Sequence, residues 1–258
     1  MGLALCYFNI GGSHFGGITM SVYAIADLHG RYDVWSKVKE YLVPGDTLIC
    51  LGDCIDRGPD GIKIVNEMRA RPDAIYLKGN HEDMAVDALY DLNEIIVPHG
   101  DSSLWFSNGG YKTYESLASL SQEEQLEYAY FFKNLPLEYK YTNAMGEKVI
   151  LTHAGFTPQK RKGLLWDRAS FHDTWPPIYK DTKIIHGHTP VQYLEFWYGY
   201  NGHHILKNID MNEVYDKWEP HAIWYCGGHK CDIDLGTAAS KVTMLLDLDT
   251  WEEIYFKV

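Results

Sequence analysis

The residues best suited to chemistry are two carboxylates and a guanidinium that follow a short apolar run. The run is Leu48–Leu51; Gly52 ends it, and Asp53, Asp56 and Arg57 come next. An apolar run of this length between turn residues is typical of a buried strand. Charged groups at the end of a buried strand are costly unless they bind ions of opposite charge. The loop therefore predicts a site that binds a metal cation through its carboxylates and a phosphate group through its arginine.

Residue types that bind metals follow four other predicted strands. They are Asp27 and His29 after Val22–Ala26, Asn80 and His81 after Ala74–Leu77, His153 after Lys148–Thr152, and His188 after Lys183–Ile185. Ligands of α/β sheets bind where the strands end, so we expect these side chains to converge. Carboxylate, amide and imidazole groups together suit manganese, iron or zinc. A central carboxylate can bridge two such ions about 3.5–4 Å apart, which favours attack of water on phosphorus.

The order of predicted elements places these residues on an α/β fold. Helical spacing between the first three strands predicts β-α-β-α-β, which requires parallel pairing. Residues 83–135 are mostly helical and aromatic, and we expect an insert over the edge of the sheet. Within it, Ser121 and Glu124 form a capping-box pattern, and the strands Leu137–Tyr141 and Lys148–Thr152 follow as a hairpin. Four later runs are predicted as antiparallel strands, namely Val191–Trp197, His204–Ile209, Val242–Leu248 and Glu253–Phe256.

Length and composition predict one soluble domain. We expect residues 1–19 to be a poorly packed N-terminal extension ahead of Met20, and residues 20–258 to be a single domain. The extension has no Lys or Arg and so lacks the basic start of a signal peptide. Five cysteines, an odd number, indicate free thiols in a reducing compartment, and we expect a cytoplasmic protein.

The overall charge restricts the possible partners. The formal net charge is −12, with 23 basic and 35 acidic residues. An acidic surface repels nucleic-acid backbones and anionic membranes, so neither is an expected partner. An anionic substrate must then be attracted by a local positive site, such as bound metal ions.

The ordered motifs resemble those of the calcineurin-like metallophosphoesterases. More narrowly, they resemble the phosphoprotein phosphatases that act on serine and threonine, in their short bacterial and bacteriophage-type branch. The resemblance rests on Asp27-x-His29-Gly30, Gly52-Asp53-x-x-Asp56-Arg57-Gly58, Gly79-Asn80-His81-Glu82, His153-Ala154-Gly155 and Gly187-His188-Thr189. It runs from about Val22 to Asp249. It implies an α/β sandwich of two mixed β-sheets flanked by helices, with a helical insert over the active-site edge.

The resemblance also implies the metal ligands. Asp27 and His29 would hold one divalent ion, Asp53 would bridge, and Asn80, His153 and His188 would hold a second ion. Manganese is the expected metal, with iron or zinc as alternatives. A hydroxide that bridges the ions would attack the phosphorus atom.

Further roles are implied for the remaining residues of the motifs. His81 would be the general acid that protonates the leaving group, and Asp56 would orient it. Arg57 would bind phosphate oxygens, helped by Asn80 and by Arg168 in the segment Leu165-Trp166-Asp167-Arg168. As an alternative, Arg57 pairs with a neighbouring aspartate in a structural ion pair.

The expected substrates are phosphoproteins or small phosphoesters, and the expected function is that of a serine/threonine protein phosphatase. The first alternative is symmetric hydrolysis of bis(5′-nucleosyl) tetraphosphates, or a broad specificity. That related branch typically lacks the aspartate that orients the general acid, so Asp56 favours the protein phosphatase. The second alternative is a non-catalytic binding module on the same fold. It would be expected to have lost metal ligands, and none of the expected ligands is missing.

Overall fold

The computed structural model describes residues 20–94, 102–156, 163–168, 179–198 and 218–258, and the structural statements below concern this part of the chain. Its strands are β1 Val22–Ile25, β2 Thr47–Cys50, β3 Ala74–Tyr76, β4 Glu138–Thr142, β5 Lys148–Thr152, β6 Thr182–His186, β7 Ile223–Tyr225, β8 Lys230–Asp232, β9 Val242–Asp247 and β10 Glu253–Lys257. Its helices are α1 Tyr32–Tyr41, α2 Gly61–Ala70, α3 Asn80–Leu92, α4 Ser102–Ser107, α5 Tyr111–Leu117, α6 Gln122–Lys133, α7 Gly163–Trp166, α8 Val191–Tyr198 and α9 Thr237–Ser240.

The strands form two mixed five-stranded sheets. The first has the order β10-β9-β1-β2-β3, in which β1, β2 and β3 pair in parallel and β9 is antiparallel to both of its neighbours, β1 and β10. The second has the order β4-β5-β6-β8-β7, with β5, β6 and β8 parallel and the outer strands antiparallel. The predicted sandwich of two mixed sheets is thereby confirmed.

Two apolar cores lie on opposite faces of the first sheet. Ala24 and Ile49 pack with Leu151 and Ile185 of the second sheet, which fills the space between the sheets. Their neighbours along the strands, such as Ile25, point to the other face and pack beneath the helices. This alternation follows from the two-residue period of a strand. Both faces are covered, as expected for parallel strands with crossover helices.

The loops at the carboxyl ends of the parallel strands are joined by backbone hydrogen bonds. His29 N donates to Asp53 O at 2.9 Å, which links the loops after β1 and β2. Gly187 N donates to His153 O at 2.8 Å, which links the loops after β6 and β5. These bonds hold the loops together at one edge of each sheet, where the predicted ligands lie.

The insert between β3 and β4 consists of α3, α4, α5 and α6. The predicted capping box is confirmed, because the Ser121 hydroxyl accepts from Glu124 N and the Glu124 carboxylate accepts from Ser121 N at the start of α6. Helix α5 ends at Leu117, and α6 is a separate helix that begins directly after its cap, Ser121.

One sequence prediction was wrong at the end of the second sheet. The run Val191–Trp197 was expected to be a strand, but it lies in helix α8. Pro190 precedes it, and proline is favoured at a helix start. Val191 and Leu194, three positions apart, are both buried, which is a helical spacing that a short apolar run does not separate from a strand.

Two further predictions lie outside the described residues, namely the extension 1–19 and the strand 204–209. Strands β7 and β8 were not predicted from the sequence. Their turn contains Gly227 and Gly228, both with positive φ. Among the described helices, none is long and apolar enough to cross a lipid bilayer.

The close approach of the loops after β2 and β3 predicts a steric requirement for glycine. Gly52 has φ +103°, and a Cβ there would overlap the backbone of Gly79. Gly146, in the β4–β5 turn, has φ +80°, but a Cβ added there would meet no other side chain or loop within 4 Å. We expect Gly146→Ala to lower the free energy of unfolding by about 1–2 kcal/mol, and Gly52→Ala by about 1–3 kcal/mol more, because overpacking adds to the backbone strain.

Urea unfolding followed by circular dichroism measures both losses. Equal losses in the two variants would contradict the overlap of the loops.

Candidate active site

Six residues in the loops after β1, β2 and β6 have a left-handed backbone. They are Asp27, His29, Asp53, Asp56, Arg57 and His188, with φ between 44° and 73°. This conformation costs roughly 1–2 kcal/mol for each residue with a side chain. Such strain persists where the surrounding structure enforces it, and it concentrates at functional sites. All six are residues that the sequence singled out for chemistry.

Asp53 lies at the centre of the site and is buried. Its Oδ2 faces the Nε2 atoms of His153, His29 and His81 at 3.5, 3.7 and 3.8 Å. These distances are too long for hydrogen bonds. Its Oδ1 accepts from His81 N at 3.0 Å. One carboxylate oxygen is therefore held by the backbone, while the other faces a ring of imidazole nitrogens.

The imidazoles keep this buried carboxylate charged. Burial raises the pKa of Asp53, but the electrostatic effect of the surrounding imidazoles, His153, His81 and His29, outweighs it and lowers that pKa below its ordinary value. Asp53 is thus a negative centre that is not neutralised by a lysine or arginine ion pair among the described residues.

Two of the imidazoles are oriented by backbone carbonyl groups. His29 Nδ1 lies 3.0 Å from Ile55 O, and His153 Nδ1 lies 2.9 Å from Leu51 O. A carbonyl oxygen only accepts, so Nδ1 carries the proton in both rings. Burial is the main cause that lowers the pKa of each ring. Each ring is therefore neutral and presents a lone pair on Nε2, which is the form that binds metals.

Asn80, His188 and Asp27 surround the same centre. Asn80 Oδ1 lies 2.9 Å from both His153 Nε2 and His188 Nδ1. Asp27 Oδ2 accepts from His188 N at 3.0 Å. Two buried atoms, Asp27 Oδ1 and His188 Nε2, have no hydrogen-bond partner among the described residues. Buried polar atoms are normally paired, so such atoms need an explanation such as an ion.

The donor set fits two divalent cations. Two groups of side chains place potential ligand atoms within 4.8 Å of one another, namely His29–Asp53–His81 and Asp53–His153–His188. Asp53 belongs to both groups, as a bridging ligand must. The unpaired atoms of Asp27 and His188 extend the set. The structure thus brings together all six residues predicted as ligands, and their individual roles stay predictions.

His81 differs from the other imidazoles because it has a carboxylate partner. Its Nδ1 lies 2.6 Å from Asp56 Oδ2, and both residues are buried. Burial alone would lower the pKa of His81, but Asp53 and the hydrogen bond to Asp56 outweigh it and raise the pKa. A ring held in this way can donate a proton from Nε2.

Arg57 contacts two members of the group His29–Asp53–His81. Its Nη1 lies 2.7 Å from His29 Nε2, and its Nη2 lies 3.1 Å from His81 Nε2. It forms no ion pair with Asp53 or Asp56 within the described ranges, which argues against the alternative of a structural pair. A guanidinium only donates, so both contacts require a lone pair on the imidazole nitrogen, and Arg57 must move away from His81 Nε2 before that atom can carry a proton.

Arg168 acts electrostatically on the second group of candidate ligands, through His153 and His188. It is exposed and lies two residues beyond the end of α7. Burial is the main cause that lowers the pKa of His188, and the electrostatic effects of His153 and Arg168 add to it. The two arginines therefore act on different ligand groups.

Glu82 belongs to the motif Gly79-Asn80-His81-Glu82, but the sequence predicted no role for it. Its buried carboxylate accepts from Gly79 N and Asp53 N at 2.9 Å each, from Cys54 N at 3.0 Å, and from the Tyr76 hydroxyl at 2.6 Å. It thereby ties the loop after β3 to the loop after β2. Most of its partners are backbone groups, which a sequence does not reveal.

Asp232 and Asp234 were also missed. Asp232 is the last residue of β8, the third parallel strand of the second sheet, Asp234 follows that strand, and both are buried. Burial raises the pKa of Asp27, and the charge of Asp234 is the next cause, so Asp234 lies near the ligands. The sequence does contain this second pair of carboxylates, but the strand that leads to it has no apolar run and was not recognised.

Comparisons with known proteins agree with this geometry. The chain is 29% identical over 138 residues to serine/threonine-protein phosphatase 2 of Escherichia coli, covering 52% of this chain and 58% of that protein. It is 26% identical over 144 residues to a symmetrical bis(5′-nucleosyl)-tetraphosphatase of Delftia acidovorans, covering 54% and 46%. The chain thus spans about half the length of these curated relatives.

A solved protein serine/threonine phosphatase of Saccharomyces cerevisiae shares the fold, with a TM-score of 0.56 and 14% identity over 93% of this chain and 80% of that one. The family model of the calcineurin-like phosphoesterases matches residues 20–231. This range includes the three parallel strands of the first sheet and every ligand residue described above. The chain therefore belongs to the calcineurin-like phosphoesterase family.

Proposed function

We propose that this chain is a metal-dependent phosphomonoester hydrolase that acts on phosphoserine and phosphothreonine in proteins. The observation that carries the proposal is the buried Asp56–His81 pair beside the charged Asp53 centre. Esters of serine and threonine have poor leaving groups, which need a proton as the bond to phosphorus breaks. The oriented imidazole can supply that proton.

The same proposal includes two divalent metal ions, most simply manganese, with iron or zinc as alternatives. Asp27 and His29 would hold one ion, Asn80, His153 and His188 the other, and Asp53 would bridge them. Bound there, the ions would lower the pKa of water and neutralise charge on phosphate oxygens. One lone pair on His29 Nε2 cannot serve both Arg57 and an ion, so Arg57 must leave that nitrogen when an ion binds.

The arginines and the histidine then have separate tasks. Arg57 and Arg168 bind the oxygens of the substrate phosphate, with Asn80 close to the same position. An arginine fork matches phosphate geometry through paired donors. His81 donates its Nε2 proton to the departing serine or threonine oxygen, and Asp56 keeps the ring oriented and stabilises its charge.

A second candidate function is symmetric hydrolysis of bis(5′-nucleosyl) tetraphosphates. The matched tetraphosphatases support it. Their leaving group is a nucleotide phosphate, which needs less protonation than an alkoxide. The hydrogen bond of Asp56 to His81 favours the phosphomonoesterase over this candidate. A non-catalytic module is disfavoured because the ligand set is complete.

We also propose a cytoplasmic location, as the odd number of cysteines indicates.

Removal of the central charge tests the metal site. Asp53→Asn keeps the side chain's size but removes the negative charge that the imidazoles surround. We expect the Kd for Mn²⁺, measured by isothermal titration calorimetry, to rise at least about tenfold, a loss typical even of residues that only support metal ligands. The matched control is Asp33→Asn, because Asp33 is 45% exposed and pairs with Arg31. Equal affinities in the two variants would contradict the site.

Replacement of the proposed general acid separates proton donation from metal binding. We expect His81→Asn to lower kcat on a phosphoserine peptide by about 10²–10⁴-fold, with the Mn²⁺ affinity of the wild-type protein retained. His221→Asn is the control, since His221 also pairs with a carboxylate, Glu195, at 2.6 Å. Full activity of His81→Asn on an alkyl phosphate would refute the assignment. A loss of Mn²⁺ affinity as large as in Asp53→Asn would make His81 a ligand.

A substrate comparison decides between the two candidate functions. With Mn²⁺ present, we expect a higher kcat/KM for a phosphoserine peptide than for diadenosine tetraphosphate, because the Asp56–His81 pair assists the poorer leaving group more. A chelator should abolish both activities. A preference for the tetraphosphate would establish the second candidate instead.

A further inference from the structure

The helical insert contributes a fully buried tryptophan to the catalytic loop. Trp105 in α4 donates its Nε1–H to Asp56 Oδ2 at 2.8 Å. The same oxygen lies 2.6 Å from His81 Nδ1. A single carboxylate oxygen therefore connects the insert to the ring that is the proposed proton donor.

This second donor restrains the carboxylate. The terminal torsion of an aspartate has a broad, two-fold energy profile, so one hydrogen bond does not fix its plane. Asp56 Oδ1 has no hydrogen-bond partner among the described residues. Without Trp105, the Asp56 carboxylate would be held by His81 alone, and ring and carboxylate could turn together.

The rest of the insert supports the same contact. Asp56 N donates to Thr113 Oγ1 at 2.9 Å, and Arg57 N donates to Gly109 O at 3.0 Å. At Gly110 a Cβ would lie 2.5 Å from the indole nitrogen, so only glycine lets the indole occupy this place. The insert thus contacts both the side chain of Asp56 and the backbone of the turn that carries it.

We propose that Trp105 is a positioning residue for His81, through which the insert sets how well the site hydrolyses phosphoesters with poor leaving groups. The inference rests on the proposed function and deepens it. Its chemical consequence is selective. A good leaving group departs without being protonated, so the hydrolysis of its ester does not depend on the orientation of His81.

The test compares Trp105→Phe with a matched control. Trp35 is also fully buried and also donates its Nε1–H to a carboxylate, Glu67 Oε2, at 2.8 Å, but it lies in α1. For Trp105→Phe we expect kcat/KM on a phosphoserine peptide to fall about tenfold, part of the full contribution of a general acid. We expect kcat/KM on p-nitrophenyl phosphate to be nearly unchanged. For Trp35→Phe the ratio of the two activities should equal that of the wild-type protein.

An equal loss on both substrates in Trp105→Phe, or the same change of ratio in Trp35→Phe, would overturn the proposal. If Trp105→Phe does not fold, Thr113→Val and Thr113→Ser decide. The valine leaves Asp56 N without its acceptor and should change the ratio in the same direction, whereas the serine keeps the hydroxyl and should restore it. An unchanged ratio in Thr113→Val would then overturn the proposal.

A measurement without substrate distinguishes this proposal from the proposed function. The short His81–Asp56 hydrogen bond should give a far-downfield Nδ1–H signal in the proton NMR spectrum, assigned by its loss in His81→Asn. We expect the signal to shift or broaden in Trp105→Phe and to stay in Trp35→Phe. An unchanged signal in Trp105→Phe would refute the positioning role, whether or not the wild-type protein hydrolyses either substrate.

Discussion

The structure of the site depends on one buried carboxylate faced by imidazoles. Asp53 stays ionised because the surrounding rings lower its pKa more than burial raises it. Its distances to the ring nitrogens, 3.5–3.8 Å, are too long for hydrogen bonds. The buried negative charge thus has a backbone hydrogen bond from His81 N but no ion pair with a lysine or arginine among the described residues, which is costly in an apolar environment. Cations at this position would remove the cost, and the neutral rings of His29 and His153 offer lone pairs to them.

The fold enforces this arrangement through the ends of its parallel strands. The site residues have strained left-handed backbones, and a short loop alone would relax out of such a conformation. Backbone bonds between loops prevent this, as does the buried carboxylate of Glu82, which accepts from the loops after both β2 and β3. The two sheets serve as the rigid support, since their cores fill both faces of the first sheet. Ligand geometry is therefore a property of the packed sandwich rather than of any single motif.

The insert extends the same principle to proton transfer. Asp56 comes from the central loop, His81 from the start of α3 and Trp105 from the insert, and all three meet at one oxygen atom. The proposed metal binding and the proposed leaving-group protonation would thereby be supported by different parts of the chain. In this family member the proposed preference for poor leaving groups would depend on the insert, while the ligand set depends on the sheets.

The sequence by itself determined most strand positions and the set of candidate ligands, because apolar runs that end in Asp, His or Asn are local patterns. The sandwich of two mixed sheets was implied by the resemblance of the ordered motifs to a known family. It also determined the cap at Ser121, since a capping box involves residues three positions apart. Tertiary structure decided what depends on distant partners. The run after Pro190 is a helix because the buried residues Val191 and Leu194 are three positions apart. The apolar composition of the run fits a helix and a strand equally well. The roles of Glu82, Asp234 and Trp105 depend on contacts with backbone groups or with side chains far along the chain, as in the 49-residue separation of Trp105 from Asp56, and no local pattern encodes such contacts.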